Sequence, residues 1–240
     1  MFTAIHDFVF YAPPGLVFTG TFAYFLALYF IFALGSHYLL IPLATRMGYG
    51  VRVNSKASPP GQIWREIINS LISIFVFGCY GLLVIALTRE GLVAMNFSSS
   101  TLKIIADLSI FTLWNEVHFF GMHRLLHWRP LYRWSHREHH RSVVPTSFAT
   151  YSFHYFESIL LGSVMPLILI IYPLNALVLV LFPIVSIALN TIGHMNYEFY
   201  TMNPACPRAC WRHTRHHGEI NGNYGFFLPY LDRLFGTQHL

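Results

Sequence analysis

Long stretches without a single Asp, Glu, Lys or Arg constrain this chain more than anything else in it. One runs from Leu16 to Leu43 and a second from Ile67 to Thr88. A third, from Leu102 to Phe120, is interrupted by Asp107, Asn115, Glu116 and His118. Two more lie between Ile159 and Ile192, punctuated by Pro166, Pro173 and Pro183. About 20 apolar residues cross the hydrocarbon core as a helix, and with no water to satisfy backbone amides the helix is the natural solution for such a chain. Charged residues make up only 10% of the 240, against about a quarter in a soluble domain. The expectation is an all-α integral membrane protein with four to five membrane-embedded helices. The first fifteen residues hold Asp7 and no Lys or Arg, so no cleavable leader is expected.

The charge map sets the topology. Thirteen of the fifteen Lys and Arg residues fall in three segments, 44–66, 121–158 and the tail after 193. Arg89 and Lys103 are the other two. If 159–192 is a hairpin turning at Tyr172-Pro173-Leu174-Asn175, all three basic segments share one side, which the positive-inside rule makes cytoplasmic. A single kinked span would split them. Topology therefore explains the net charge of +5, and no nucleic-acid partner is expected. Cys79, inside an apolar run, reads as a small core residue, and Cys206 and Cys210 read as ordinary thiols.

Fourteen histidines are present, eleven of them between 118 and 217. Three boxes stand out: His123 and His127; His136, His139 and His140; His213, His216 and His217. Residues at i, i+3 and i+4 share a helix face, so each box can present several imidazoles to a metal, and adjacent His139 and His140 can diverge towards neighbouring metals. Eight box histidines exceed the ligand demand of one metal and point to two. His154 and His194 are further candidate ligands. His118, spaced five from His123, points to another face, and His6, His37 and His239 read as interfacial polar groups. Glu116 and Glu157 are placed to hydrogen-bond ligand imidazoles, and Asp232-Arg233 reads as an internal ion pair. Soluble di-iron bundles use Glu-x-x-His motifs, which are absent. H-E-x-x-H, the motif of a zinc hydrolase, is absent too.

With their flanks, these residues resemble the fatty acid hydroxylase and sterol desaturase superfamily. The resemblance runs over about 105–238. It includes Glu116 to His127, Leu131-Tyr132-Arg133, the second box and Pro145. It continues through His154-Tyr155-Phe156-Glu157, Gly193-His194, the third box, Asn223-Tyr224-Gly225 and Leu231 to Thr237. Tyr155 stands where the family often has proline, and Leu231 where tryptophan is frequent. The resemblance implies a cytoplasmic-side helical cap carrying the boxes, and two iron ions held by the histidines, which zinc can replace in purified samples. Asn223 and Asp232 join the supporting residues. It implies hydroxylation or desaturation of an unactivated C–H bond in a lipid or sterol-like substrate. Dioxygen and a separate electron-transfer protein would take part, in a bacterial inner membrane or the endoplasmic reticulum. Residues 1–104 would supply membrane spans and 105–240 the catalytic region of one structural domain. Competing readings are another histidine-box oxidase of the acyl desaturase or alkane hydroxylase type, a zinc-dependent membrane hydrolase, or a metal-binding protein without redox chemistry.

Overall fold

A computed structural model describes residues 2–199 and 208–239. The chain begins with α1 (Phe2–Tyr11) and α2 (Pro14–Leu34). α2 continues through a π-helical turn, Gly35–Leu40, into α3 (Ile41–Arg46). Pro42 lacks an amide proton and cannot extend a regular ladder. The turn before it absorbs the mismatch, and the Ile41 amide donates to Ser36, five residues back. There follow α4 (Gln62–Arg89) and α5 (Thr101–Leu126), the latter capped by the Ser100 hydroxyl accepting from the Lys103 amide. The helical cap comes next: α6 (Arg129–Leu131), a π turn (Tyr132–His136) and α7 (Arg137–His140). A 3₁₀ turn, Ser147–Tyr151, leads to α8 (Tyr155–Gly162) and α9 (Val164–Ile171). α10 (Ala176–His194) returns the chain after a turn at 172–175, where the hairpin is expected, with Asn175 capping its first turn. α11 (Ala209–Glu219) and α12 (Tyr230–Leu234) close the fold.

Pro14–Arg46, Gln62–Arg89 and Ala176–His194 are each long and apolar enough to cross a membrane, so the fold is that of an all-α integral membrane protein. α5 is of similar length but carries polar side chains. α8 and α9 run on through Ser163 as one apolar helix, Tyr155–Ile171, at the lower limit of the length that spans a bilayer.

Within a bilayer, helices associate through close packing and interhelical hydrogen bonds rather than the hydrophobic effect. Both are visible. A Cβ on Gly162 would lie 2.5 Å from the Tyr80 ring, and one on Gly81 2.5 Å from Thr21 Oγ1, so these glycines permit backbone approach. The Tyr29 hydroxyl donates to Phe148 O at 2.9 Å, the Tyr80 hydroxyl to Ile159 O at 2.6 Å and the Trp114 indole to Val164 O at 2.9 Å. Each such bond is worth about 0.6 kcal/mol in a membrane bundle. Cys79 faces outward, contrary to the core position expected of it. Cys206 lies outside the described residues, and Cys210 is a buried free thiol.

The three basic segments meet at one end of this bundle. β1 (Val51–Arg52) pairs antiparallel with β2 (Tyr197–Glu198), Val51 opposite Glu198. The Gln62 amide donates to Val144 O at 2.8 Å. At the other end, Asp107 accepts from Lys103, from the Tyr172 hydroxyl and from the Asn175 amide, tying the hairpin turn to the start of α5.

Candidate metal centre

α5 and α10 both end at the basic end of the bundle, and each delivers histidines there. His123 sits in the last turn of α5 and His127 at its C-cap. His194 is the last residue of α10. α6, α7 and the π turn between them lay His136, His139 and His140 across these ends, and α11 adds His213, His216 and His217. The nine form two groups. His123, His127, His136, His140 and His216 make the first, and His139, His194, His213 and His217 the second; within each, the facing nitrogens lie within 4.8 Å of one another. The i and i+4 members of a box share a group, while the i+3 member of the second and third boxes joins the other. Both boxes therefore bridge the two groups.

All nine except His127 are buried. Burial holds His136, His139, His140, His213, His216 and His217 well below the usual imidazole value, and repulsion among neighbouring imidazoles pushes the same way. The rings are neutral at pH 7 and offer lone pairs.

Hydrogen bonds aim those lone pairs. His123 Nδ1 donates to Tyr224 O at 2.9 Å and His216 Nδ1 to Gly222 O at 2.7 Å. His139 Nδ1 donates to Ser152 O at 3.1 Å and His194 Nδ1 to Asn190 O at 2.8 Å. Carbonyl oxygens only accept, so each of these rings carries its proton on Nδ1 and leaves Nε2 bare. His139 Nε2 and His194 Nε2 nonetheless face each other at 3.3 Å, with no proton between them. Similar Nε2 contacts run through both groups: His127 to His216 and His136 to His127 at 3.1 Å, and His213 to His194 at 2.9 Å. Facing lone pairs repel unless a cation lies between them. Two nitrogens about 2.1 Å from one metal, at right angles, stand about 3.0 Å apart, so these spacings are those of neighbouring ligands. The donor set fits two first-row transition metals, since imidazole suits iron, zinc and copper.

Supporting contacts differ from expectation in several places. Glu157 Oε1 accepts from His136 Nδ1 at 2.9 Å. Replacing Glu157 with leucine is expected to weaken metal binding by the first group about 10- to 100-fold, the usual cost of losing a partner that orients a ligand, with glutamine closer to wild type. Chelator competition measures both. Glu116 touches no imidazole: its carboxylate accepts from the Phe227 and Leu228 amides at 3.2 and 3.3 Å. Asp232 forms no ion pair with Arg233, whose guanidinium donates to Gln238. It accepts instead from the Tyr224 and Gly225 amides, both at 2.8 Å. Asn223 exchanges hydrogen bonds with the His239 backbone. These carboxylates and this amide therefore hold the loop whose carbonyls orient His123 and His216.

His154 belongs to neither group. Its Nδ1 accepts from the Phe156 amide and caps α8. Alanine at 154 is expected to leave metal content unchanged and to destabilise by about 1 kcal/mol, the usual cost of a lost cap, as elemental analysis and thermal melting would register. His118 points away from both groups and meets Ser163 Oγ at 3.0 Å. Glu66 escaped the sequence reading. Fully buried, it accepts from Gln62, Ser142 and Thr146 and anchors the loop between the second box and Ser152. Its only sequence signal is a carboxylate immediately before the apolar run that starts at Ile67.

A cavity of about 440 Å³ lies within the bundle, and none of the nine histidines is among its lining residues. Phe119, Phe153 and Phe226 line its near end; the first two lie 5.0 Å from the His123 and His139 rings.

Curated relatives include sterol desaturases. Those described as Delta(7)-sterol 5(6)-desaturase from Candida glabrata and Saccharomyces cerevisiae are 32% and 34% identical over 140 and 139 residues, 56% of this chain and 36% of each relative. A probable Delta(7)-sterol 5(6)-desaturase from Neurospora crassa is 28% identical over 181 residues, 73% of this chain and 52% of the relative. The chain thus spans between about a third and a half of the relatives' length. No solved structure matches it. The profile of the fatty acid hydroxylase family matches residues 108–237, more than half of the chain and every histidine of both groups; the chain belongs to that family.

Proposed function

We propose that this protein is a membrane-bound non-haem di-iron oxidase that hydroxylates or desaturates an unactivated C–H bond of a lipid or sterol-like substrate. The observation that carries the reading is the pair of all-imidazole groups, buried but for His127, packed behind phenylalanines that line one end of an apolar cavity. His123, His127, His136, His140 and His216 would hold one iron, and His139, His194, His213 and His217 the other. Bound there, the irons would supply the oxidising power of dioxygen.

The chain's own contribution is positioning and exclusion of water. Phe119, Phe153 and Phe226 press a substrate carbon towards the imidazoles and keep bulk water from it. Five of the nine rings are fixed in orientation by oxygen acceptors at Nδ1. His127, the half-buried member, lies between Tyr132 and Tyr224, ring centroids 5.6 and 4.9 Å away, where electrons from a separate carrier would enter. The basic end would face the cytoplasm, by the distribution of Lys and Arg. Family membership and the sterol desaturase relatives support a sterol or related lipid as the substrate class.

The test is turnover. Protein from iron-supplemented cells is placed in lipid discs with dioxygen, a reductase and its carrier, and a panel of sterols and acyl lipids. Mass spectrometry should find a product that has gained one oxygen or lost two hydrogens, dependent on both dioxygen and reductant. A well-folded sample holding a single tight zinc per chain, inert towards the whole panel, would overturn the reading.

A further inference from the structure

Among the polar side chains of the cavity wall, Asn115 and Ser186 lie at one defined distance from the candidate metal centre. α5 and α10 run in the same direction, and Phe111 stacks on Phe182 between them with ring centroids 3.9 Å apart. His123 lies twelve residues beyond Phe111, and His194 twelve beyond Phe182, so the two helices are in step along their length. One turn towards the centre from the stacked pair come Asn115 and Ser186, which both line the cavity. Each is eight residues before its ligand histidine, which at 1.5 Å per residue puts both about 12 Å from the metal centre.

Neither has a hydrogen-bond partner among the described residues. Asn115 is 8% exposed, and a buried amide without partners costs about 1–3 kcal/mol. Ser186 differs from other hydroxyls in these helices. Thr19, Thr88, Thr112 and Ser158 all donate to the carbonyl four residues back, whereas Ser186 leaves its hydroxyl free. The rest of the cavity wall is mostly apolar; among the described residues the Thr21 and Tyr151 hydroxyls also lack partners there but lie on other elements, and the wall includes no Asp, Glu, Lys or Arg.

We infer that Asn115 and Ser186 form a recognition site for an uncharged oxygen of the substrate, a hydroxyl or carbonyl, held about 12 Å from the carbon that reacts. This rests on the cavity being the substrate channel of the proposed oxidase. The amide of Asn115 both donates and accepts, and so does the Ser186 hydroxyl, so a substrate hydroxyl finds a partner for its proton and for its lone pairs. A carboxylate would enter the same pocket unpaired, at a high desolvation cost. The site therefore selects neutral lipids bearing an oxygen over bare hydrocarbon and over free fatty acids. It also sets which carbon reaches the metals, because the chain is measured from a fixed anchor.

The test uses binding, not turnover. Immobilised protein in detergent takes up tritiated hexadecan-1-ol, and unlabelled hexadecan-1-ol, hexadecane and hexadecanoate compete at equal mole fraction in the micelle, at pH 8. On wild type the alcohol should compete up to about tenfold better than the alkane, the scale of one or two net hydrogen bonds, and the carboxylate should do worse than the alcohol. Asn115→Leu should bring the alcohol down to the alkane's level, and Ser186→Ala should lose part of the preference, with alkane binding unchanged in both. Asn115→Ser, smaller and still polar, should retain some preference, and covers the case in which the leucine variant fails to fold. Equal competition by alcohol and alkane on wild type would overturn the inference, as would a preference undiminished in a folded Asn115→Leu protein. An alcohol preference in a preparation that oxidises no lipid would instead sink the oxidase reading and leave the binding site standing. Turnover without any preference would do the reverse.

Discussion

A variant with His194 and His213 both replaced by alanine is expected to hold about one metal per chain where the native protein holds about two, and to lose turnover. The second group has four imidazoles and the first has five, with no residue in common. Removing two of four leaves His139 and His217, too few to retain a metal against a chelator, while the first group keeps its full set. The complementary variant, with alanine at His127, His140 and His216, leaves His123 and His136 in the first group and should likewise stop at about one metal. Each variant should also melt at a lower temperature than wild type when loaded, because metal bound only by the folded state adds directly to its stability. The two melts in excess chelator should be closer to that of the metal-free native protein. Elemental analysis across the three proteins decides the matter. Loss of both metals from either folded variant would mean one shared site. Two metals in both would mean that these imidazoles are not the ligands.

Much of this centre is readable from spacing alone. Residues four apart on a helix differ by about 40° around the axis and adjacent ones by about 100°. Hence His136 and His140 enter one group while His139 turns to the other, and His213 and His217 enter the second group while His216 turns to the first. The hairpin turn at 172–175 was legible for a different reason. The bilayer penalises unpaired polar backbone, so Pro173 and Asn175 had few other places to be. What spacing does not carry is the supporting layer. Ser152, Asn190, Gly222 and Tyr224 orient ligands through main-chain carbonyls, which every residue has. Glu116, Asn223 and Asp232 act on the closing loop rather than on an imidazole. His154 has the right neighbours in sequence and a ring that turns to cap a helix. The outward face of Cys79 was also hidden, because a helix apolar on all sides offers no periodicity from which to read its buried face.

The closing loop is where a single residue far from any metal should matter most. Asp232 is 1% exposed, and its two oxygens take three hydrogen bonds. Oδ1 accepts from the Tyr224 amide at 2.8 Å and the Thr237 hydroxyl at 2.7 Å, and Oδ2 from the Gly225 amide at 2.8 Å. The same loop presents Gly222 O to His216 and Tyr224 O to His123, and both rings belong to the first group. Alanine at 232 strands three donors and frees the loop. It is expected to destabilise the protein by about 3–4 kcal/mol, within the range for breaking a buried network. It should also weaken the first group's metal by about 100-fold, since two ligands lose their orienting carbonyls. The second group draws its acceptors from Ser152 and Asn190 and should keep its metal. Asparagine at 232 preserves one accepting oxygen and should fall between. Gly225→Ala offers an independent route to the same result, because its Cβ would lie 2.7 Å from Leu228 O and 2.8 Å from Asp232 Oδ2, pushing the loop from the other side. Stepwise chelator titration, read as two separate release events, measures the asymmetry. Equal weakening of both metals in Asp232→Ala would show that the aspartate supports the fold as a whole, and no weakening of either would show that the rings hold their orientation without it.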